Sequence, residues 1–266
     1  MSFLENIVSA KRAEIAAARA LKPQADLERL AAKREDFRGF AESLARPGVR
    51  IIAEIKRASP SLGDLRPDLH PGDLALAYQT GGAAAISVLT EPAFFKGSAK
   101  DLKRAREFTE LPILRKDFIL DPYQVYETAA MGADAMLLIV RILDDETLQS
   151  LLALALGVGL ETLVEIHDET DAQRIRDLAP PLVGINNRDL AHFHTDTDRA
   201  ARIATLLPRG TAVVAASGIH DEADIQQGLA CGIRRFLVGE TLVQHPDPAA
   251  LIKQWISLPV PPILNS

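Results

Sequence analysis

Two patterns of apolar and polar positions divide the chain. Over residues 1 to about 45 the apolar residues recur at helical spacing, and Pro23 interrupts the pattern. The repeating face of this segment consists of Leu4, Ile7, Val8, Lys11, Ile15 and Ala18. From residue 51 the chain instead shows eight short apolar runs, at residues 51–55, 83–89, 112–115, 134–140, 162–166, 182–185, 212–215 and 235–238. We therefore predict helices first and eight strands afterwards.

Segments of helical length separate the apolar runs, and several of them open with a residue type that caps helices. They include residues 73–80, 98–108, 144–156 and 221–230. The runs start about 26 residues apart, which is the size of one strand–helix unit. They do not alternate with polar residues, as expected of parallel strands buried on both faces. This predicts the α/β class, as a single (β/α)8 TIM barrel with an extra N-terminal helical segment. An open, doubly wound sheet is the alternative.

The composition is that of an ordinary globular protein, because 47% of the 266 residues are hydrophobic and 25% are charged. No apolar stretch approaches the ~18 residues that a membrane span requires. No segment is predicted to act as a linker, so we expect one domain over residues 1–266. Within it we expect a helical extension at 1–48, the barrel at 49–256 and a proline-rich tail at 257–266.

Net charge and cysteine content restrict the partners and the compartment. The formal charge of −6 gives no general attraction for nucleic acid, so an anionic ligand must be held by a local group of basic residues. The single cysteine, Cys231, excludes a disulfide framework and suits a reducing compartment. The first residues lack the basic and apolar regions of a signal peptide. We expect a cytoplasmic protein, a monomer or weak homodimer, with no membrane or nucleic-acid partner.

Charged residues stand where predicted strands end, which is where the active sites of parallel barrels lie. Glu54 and Lys56 belong to the end of the first strand, and the two-residue period points both into the barrel mouth. Lys116 follows the third strand, and Glu165 lies at the end of the fifth. Two lysines and two glutamates that converge predict an acid/base site whose pKa values are shifted by the neighbouring charges. A structural ion pair is the alternative for Glu54 and Lys56.

The end of the sixth predicted strand carries groups suited to a polar substrate. Asn186 offers a neutral amide, and Arg188 can bind a carboxylate through two parallel hydrogen bonds. A capped loop with a surface arginine is the alternative. His192 and His194 in the same loop have a metal-like spacing, but no third histidine is predicted nearby. We therefore predict no metal site.

Small residues follow the seventh and eighth predicted strands. Ser217 and Gly218 stand after the seventh, and Gly239 and Glu240 after the eighth. Small side chains let backbone N–H groups approach an anion, and these two loops are where phosphate commonly binds in TIM barrels. We therefore expect the ligand to be a phosphate ester.

Eight motifs occur in order along the chain. They are Glu54-Ile-Lys-Arg-Ala-Ser-Pro-Ser, Ser87-Val-Leu-Thr-Glu, Phe95-Lys-Gly-Ser, Leu114-Arg-Lys-Asp-Phe, Val164-Glu-Ile, Ile185-Asn-Asn-Arg-Asp-Leu, Ser217-Gly-Ile and Val238-Gly-Glu. Together they resemble the indole-3-glycerol phosphate synthase family, and the match covers nearly the whole chain. The segment Leu4-x-x-Ile-Val-x-x-Lys-x-x-Glu-Ile resembles the helical segment that precedes the barrel in that family.

The resemblance implies a cofactor-free carboxy-lyase reaction of tryptophan biosynthesis. In it, 1-(2-carboxyphenylamino)-1-deoxyribulose 5-phosphate is converted to indole-3-glycerol phosphate with loss of CO2 and water. By resemblance, Lys116 protonates the ribulose carbonyl as the aromatic ring attacks it. Glu54, Lys56 and Glu165 are the candidates for the proton transfers of dehydration. Because their pKa values are coupled, the sequence leaves the division among these three open.

The resemblance also implies which residues bind the substrate. Beside the catalytic set of Glu54, Lys56, Lys116, Glu165 and Asn186, they are Ser59, Phe95, Phe118, Arg188, Ser217, Gly218, Gly239 and Glu240. Phe95 and Phe118 are expected to line an aromatic pocket. Since a carboxylate repels phosphate, Glu240 is expected to contribute its backbone N–H with its side chain turned away.

Two other functions stay open at this point. A phosphoribosyl isomerase would share the barrel and the phosphate loops, but its proton transfer does not need two lysines and two glutamates. A catalytically silent barrel that binds a ligand or docks onto another enzyme would not need Lys116, Glu54 and Glu165.

Overall fold

The computed structural model describes residues 3–186 and 202–261, and its centre is a closed barrel of eight parallel strands. In chain order the strands are β1 (Arg50–Ile55), β2 (Ala85–Leu89), β3 (Ile113–Lys116), β4 (Ala135–Ile139), β5 (Glu161–Ile166), β6 (Leu182–Ile185), β7 (Ala212–Ala215) and β8 (Arg235–Val238). Each strand pairs in parallel with the next one along the chain, and β8 pairs with β1. The predicted TIM barrel is confirmed, and the open sheet is excluded.

Helices surround the barrel and precede it. They are α1 (Phe3–Leu21), α2 (Gln24–Ala31), α3 (Phe40–Ala45), α4 (Pro71–Gly81), α5 (Ala99–Phe108), α6 (Pro122–Met131), α7 (Asp145–Gly157), α8 (Glu169–Arg174), α9 (Glu222–Ala230), α10 (Glu240–Gln244) and α11 (Pro248–Ile256). Three of the capping residues anticipated from the sequence act as such, since Ser98, Asp144 and Asp221 each accept a first-turn backbone N–H. Asp73 does not, because α4 begins at Pro71 and Asp73 lies in its first turn. Pro23 separates α1 from α2.

Three strands, β6, β7 and β8, have the bounds of the apolar runs, and the other five differ from them by one or two residues. The run at 83–89 begins before β2 because Ala83 and Ala84 are buried although they precede the strand. Lys116 is the last residue of β3 rather than the first residue after it. The side chain of Lys116 therefore takes its direction from the sheet.

Alternate strand residues fill the barrel interior, and α3 closes the end at which the strands begin. Phe40 and Leu44 of α3 pack in one cluster with inward residues such as Leu163 and Leu237. Glu161, the first residue of β5, accepts the backbone N–H groups of Phe40 and Ala41 at 3.2 and 2.5 Å. The other end of the barrel, where the strands finish, is left for ligands.

Two further segments lie outside the barrel strands and the helices around them. A short hairpin of residues Ala58–Ser59 and Gly63–Asp64 lies in the loop between β1 and α4. In the described part of the predicted tail, Leu258 and Val260 pack against the core. None of the helices that the structure describes is long and apolar enough to cross a membrane.

Candidate active site

A cavity of about 410 Å³ opens at the carboxyl ends of the strands. Its lining includes twelve of the thirteen residues predicted for the site: Glu54, Lys56, Ser59, Phe95, Lys116, Phe118, Glu165, Asn186, Ser217, Gly218, Gly239 and Glu240. The thirteenth, Arg188, lies outside the described residues. The volume falls in the range of small-molecule sites, and the lining combines an apolar wall with a few charged groups.

The carboxylate of Glu54 lies between two ammonium groups. Its Oε1 is 3.0 Å from Nζ of Lys56, and its Oε2 is 2.9 Å from Nζ of Lys116. Glu54 is only 2% exposed, and burial by itself would raise the pKa of its carboxyl. The charges of Lys116 and Lys56 and their hydrogen bonds outweigh burial and lower that pKa to about 2. Glu54 is therefore ionised at neutral pH and holds both lysines in place.

The end of β8 leaves room for this carboxylate. A Cβ atom added to Gly239 would lie 2.3 Å from Oε1 of Glu54, which is closer than nonbonded atoms approach. A side chain at this position would therefore push the carboxylate of Glu54 away from its place between the two lysines. The sequence indicated this glycine for another reason, the approach of a phosphate to the backbone.

On the opposite side of the mouth, β5, β6 and β7 contribute a second chain of polar groups. Nδ2 of Asn186 donates to Oε1 of Glu165 at 3.1 Å, and Oγ of Ser217 donates to Oδ1 of Asn186 at 2.7 Å. Oε2 of Glu165 is buried and has no hydrogen-bond partner among the described residues. Glu165 lines the cavity, and a carboxylate oxygen without a protein partner can accept a hydrogen bond or a proton from a ligand that reaches it.

His167 is a cavity residue that the sequence analysis did not assign to the site. Its Nε2 is 3.4 Å from Oε1 of Glu165, and its backbone N–H donates to Oδ2 of Asp171 at 2.9 Å. The signal for it was present, because His167 stands two residues after Glu165 and the strand period repeats every two residues.

An apolar wall faces these charged groups. The rings of Phe95 and Phe118 lie with their centroids 6.2 Å apart and tilted by 39°. Leu4 and Ile7 of α1 also line the cavity, so the helical extension forms part of the site. The sequence placed both residues on an apolar helix face but did not indicate that this face borders a ligand cavity.

The loops that follow β7 and β8 lie side by side at the cavity. Oγ1 of Thr241, in the first turn of α10, donates to the carbonyl of Ile219 at 3.0 Å and so ties the two loops together. Gly218 has φ +79°, a backbone conformation that favours glycine. Ser59 lies across the mouth in the β1 loop, where its Oγ accepts the backbone N–H of Leu62 at 3.3 Å.

Within residues 3–186 and 202–261, no group of three or more His, Cys, Asp or Glu side chains is arranged to hold a metal ion. His192 and His194, whose spacing resembles that of metal ligands, lie outside the described residues.

Solved structures share the barrel at low sequence identity. The orotidine 5'-phosphate decarboxylase from Pyrococcus horikoshii OT3 aligns with a TM-score of 0.58 at 13% identity, over 77% of this chain and 97% of that one. KGPDC from Streptococcus mutans aligns with a TM-score of 0.57 at 12% identity, over 79% of this chain and 96% of that one. These similarities show the fold alone.

Sequence relatives show the family. A family model described as indole-3-glycerol phosphate synthase matches residues 4–255. A relative of that name from Desulfosudis oleivorans is 50% identical over 259 residues, which cover 96% of this chain and 98% of the relative. Another from Albidiferax ferrireducens is 44% identical over 256 residues, which cover 95% and 97%. The family model and the relatives show that this chain, with its barrel and charged cavity, belongs to the indole-3-glycerol phosphate synthase family.

Proposed function

We propose that this chain converts 1-(2-carboxyphenylamino)-1-deoxyribulose 5-phosphate to indole-3-glycerol phosphate, with release of CO2 and water. Family membership supports the reaction. The observation that carries the residue assignment is the group formed by Glu54, Lys56 and Lys116 at the mouth of the cavity. The reaction rearranges bonds and moves protons, and its sum requires neither an oxidant nor a reductant, so it needs no redox cofactor.

Ring closure is assigned to Lys116. The aromatic carbon that bears the carboxylate forms a bond to the ribulose carbonyl carbon, and the carbonyl oxygen takes a proton from the Lys116 ammonium. Glu54 favours the ammonium form because its carboxylate lies 2.9 Å from Nζ. The same positive charge stabilises the negative charge that develops on the oxygen.

Decarboxylation follows when the bond to the carboxylate breaks and its electrons restore the aromatic ring. Loss of CO2 from a carboxylate consumes one proton overall, and this matches the proton that Lys116 gives up and regains from solvent. Lys56, whose Nζ lies 3.0 Å from Glu54, adds a second positive charge close to the reacting groups.

Dehydration is assigned to Glu165. One proton leaves the ring-fused intermediate and another joins the departing hydroxyl, so a single group that accepts and then donates is sufficient. Glu54 is a poor candidate because its pKa of about 2 keeps it ionised. Oε2 of Glu165 is buried beside the cavity without a partner in the described part of the chain, and this supports the assignment.

The binding roles divide the cavity into three regions. We assign the anthranilate ring to the wall formed by Phe95 and Phe118, close to Leu4 and Ile7 of α1. The ring carboxylate and nearby hydroxyls are assigned to Ser59, Asn186 and Arg188. The phosphate is assigned to the two glycine-containing loops, at Ser217, Gly218, Gly239 and Glu240.

We further propose a cytoplasmic enzyme that acts as a monomer or weak homodimer on a small phosphorylated substrate. The single, exposed cysteine fits a reducing compartment. The exposed large apolar side chains, among them Leu21, Leu76 and Leu156, lie on different helices. We keep the one-domain organisation as part of this proposal, with the extension at 1–48, the barrel at 49–256 and the tail at 257–266.

The first test is turnover by Lys116→Ala. With the carboxyphenylamino-deoxyribulose phosphate as substrate, indole fluorescence should appear with the parent enzyme and fall at least ~100-fold in the variant, since a positioned acid contributes that much. The Kd for substrate should change less than threefold. Lys103→Ala, which removes an exposed lysine on α5, is the matched control and should behave as the parent.

Two outcomes would contradict this assignment. A large loss of affinity with normal turnover would make Lys116 a binding residue. Turnover that is absent already in the parent, with substrate still bound, would mean a silent barrel or a different phosphorylated ligand.

A further inference from the structure

A buried ion pair joins the N-terminal helix to the loop of the proposed acid. Nζ of Lys11, in α1, lies 2.8 Å from Oδ1 of Asp117, and both residues are only 2% exposed. Lys11 also contacts Oε2 of Glu14 at 2.7 Å. Because a buried ammonium without partners is strongly destabilising, the helix can dock here only with this lysine paired.

Asp117 is held from every side. Its Oδ2 accepts from Oγ1 of Thr90 at 2.5 Å and from Nη2 of Arg115 at 3.0 Å, and its Oδ1 accepts the backbone N–H of Phe118 at 2.8 Å. Burial would raise the pKa of Asp117, but the charges of Arg115 and Lys11 and its hydrogen bonds lower it to about 2. Asp117 is therefore a fixed anion at working pH.

Asp117 is adjacent in the chain to two residues of the proposed active site. Asp117 lies directly between Lys116, which binds Glu54, and Phe118, which faces Phe95 across the cavity wall. Fixing the Asp117 side chain restrains the backbone on either side of it. The contacts of Asp117 thus restrain both Lys116, the proposed acid, and Phe118, a residue of the aromatic wall.

We propose that Lys11 is a positioning residue, which orients Lys116 and Phe118 through Asp117. The inference rests on the proposed role of Lys116. Lys11 lies one helical turn beyond Ile7, which lines the cavity, so one face of α1 borders the site and fixes its geometry. Because small misplacements of reacting groups are costly, loss of this contact should slow the chemical step more than it weakens binding.

A second contact allows positioning to be separated from simple attachment of the helix. Nη2 of Arg19, also in α1, lies 2.5 Å from Oδ1 of Asp121, the capping residue of α6. This pair ties the same helix to the same loop, but it lies at the surface, with side chains 45% and 30% exposed. Arg19→Met therefore removes attachment and leaves the Asp117 network intact.

The test measures single-turnover rate and substrate Kd for Lys11→Met, Lys11→Arg and Arg19→Met, with enzyme in excess over substrate. Lys11→Met should slow indole formation at least tenfold with Kd within threefold. Lys11→Arg should regain most of the rate, because an arginine restores the charge. Arg19→Met should keep both values within twofold of the parent.

Thr90→Val is the second variant, in case Lys11→Met does not fold. It is nearly isosteric and removes one hydrogen bond to Asp117, so it should slow the single turnover about threefold or more with Kd unchanged. An unchanged rate in a folded Lys11→Met or in Thr90→Val, or the same change in Lys11→Met as in Arg19→Met, would overturn the proposal. If Lys116→Ala keeps its turnover, the proposed role of Lys116 is wrong. If Lys116→Ala loses turnover but the Lys11 and Thr90 variants keep theirs, only the positioning role of Lys11 is wrong.

Discussion

Two glutamates at the same end of the barrel show how surroundings decide the role of a residue. Glu54 is enclosed by the ammonium groups of Lys56 and Lys116, which lower its pKa to about 2. Glu165 is instead contacted at one oxygen by the amide of Asn186, while its other oxygen is buried without a hydrogen-bond partner among the described residues. Two carboxylates with such different surroundings are expected to have different roles in the reaction.

This contrast predicts the behaviour of Glu165→Gln. Glutamine keeps an oxygen for Asn186 but cannot exchange the protons of dehydration, so we expect ring closure and CO2 release near the parent rate. Indole should form at least ~100-fold more slowly, and a ring-closed intermediate should accumulate. Rapid quenching, with CO2 and indole followed separately, measures both steps.

Glu146→Gln, an exposed change on α7, serves as the control and should alter neither signal. If CO2 release and indole formation fall by the same factor in Glu165→Gln, Glu165 acts before decarboxylation and the assignment is wrong.

At the scale of elements, what could be predicted from the sequence is what short stretches encode. The eight strands were predicted because continuous apolar runs between capped segments are a local signal, and caps such as Ser98 and Asp221 needed no knowledge of the fold. The strand period then pointed Glu54 and Lys56 into the same mouth. The family resemblance, not the strand pattern, added Ser59, Phe95 and Phe118. Together these two sources of prediction account for twelve residues that line the cavity.

What the sequence did not indicate depends on pairs far apart in the chain. Lys11 stands on the periodic face of α1, but nothing in its neighbourhood points to Asp117 as its partner. Gly239, at the end of the last strand, leaves room for the carboxylate of Glu54, which belongs to the first strand. Closure of the barrel creates both contacts, so no local pattern contains them.

The short helix α3 allows a prediction at this scale. Phe40 is fully buried where α3 closes the barrel, at the opposite end from Lys116. Phe40→Ala should lower the free energy of unfolding by about 3–5 kcal/mol, because it removes a buried ring and leaves a cavity. Turnover of the folded variant should stay within twofold. Urea unfolding and steady-state kinetics at a permissive temperature measure the two effects.

The matched control is Phe37→Ala, which removes the same side chain from a partly buried position three residues earlier, outside the barrel interior. It should cost clearly less stability than Phe40→Ala. An equal cost would mean that α3 contributes nothing special by filling the barrel, and a tenfold loss of turnover would mean that the two ends are coupled.

On the scale of the whole molecule, buried charge lies at both ends of the barrel. At the mouth are Glu54 and Asp117 with their lysine and arginine partners. Near the strand starts, Asp134 is fully buried and accepts hydrogen bonds from Arg34 and Arg106 at 2.8 and 2.6 Å. The strands between these two ends are apolar. The pH dependence of stability therefore depends on the ionised groups at the two ends of the barrel.

Stability in acid should follow the carboxyls at the mouth. Glu54 and Asp117 have pKa values of about 2 in the folded protein, against about 4 in an unfolded chain. Between these values the unfolded chain binds protons that the folded one does not, so the stability that both groups contribute is present above about pH 5 and is lost as pH falls toward 2. Glu14 opposes this trend, because burial raises its pKa in the folded state.

Asp117→Asn isolates one of these contributions. The variant should be less stable than the parent at pH 7, because Lys11 and Arg115 lose their anion. Its free energy of unfolding should nevertheless fall less steeply between pH 5 and pH 3, by up to about 1.4 kcal/mol per pH unit for the one proton removed. Urea titrations at pH 7, 5, 4 and 3 measure the slopes, with the exposed Asp68→Asn as control. A slope equal to that of the parent would show that protonation of Asp117 does not contribute to acid unfolding. The contact between Lys11 and Asp117 would then not change the pH dependence of the free energy of unfolding.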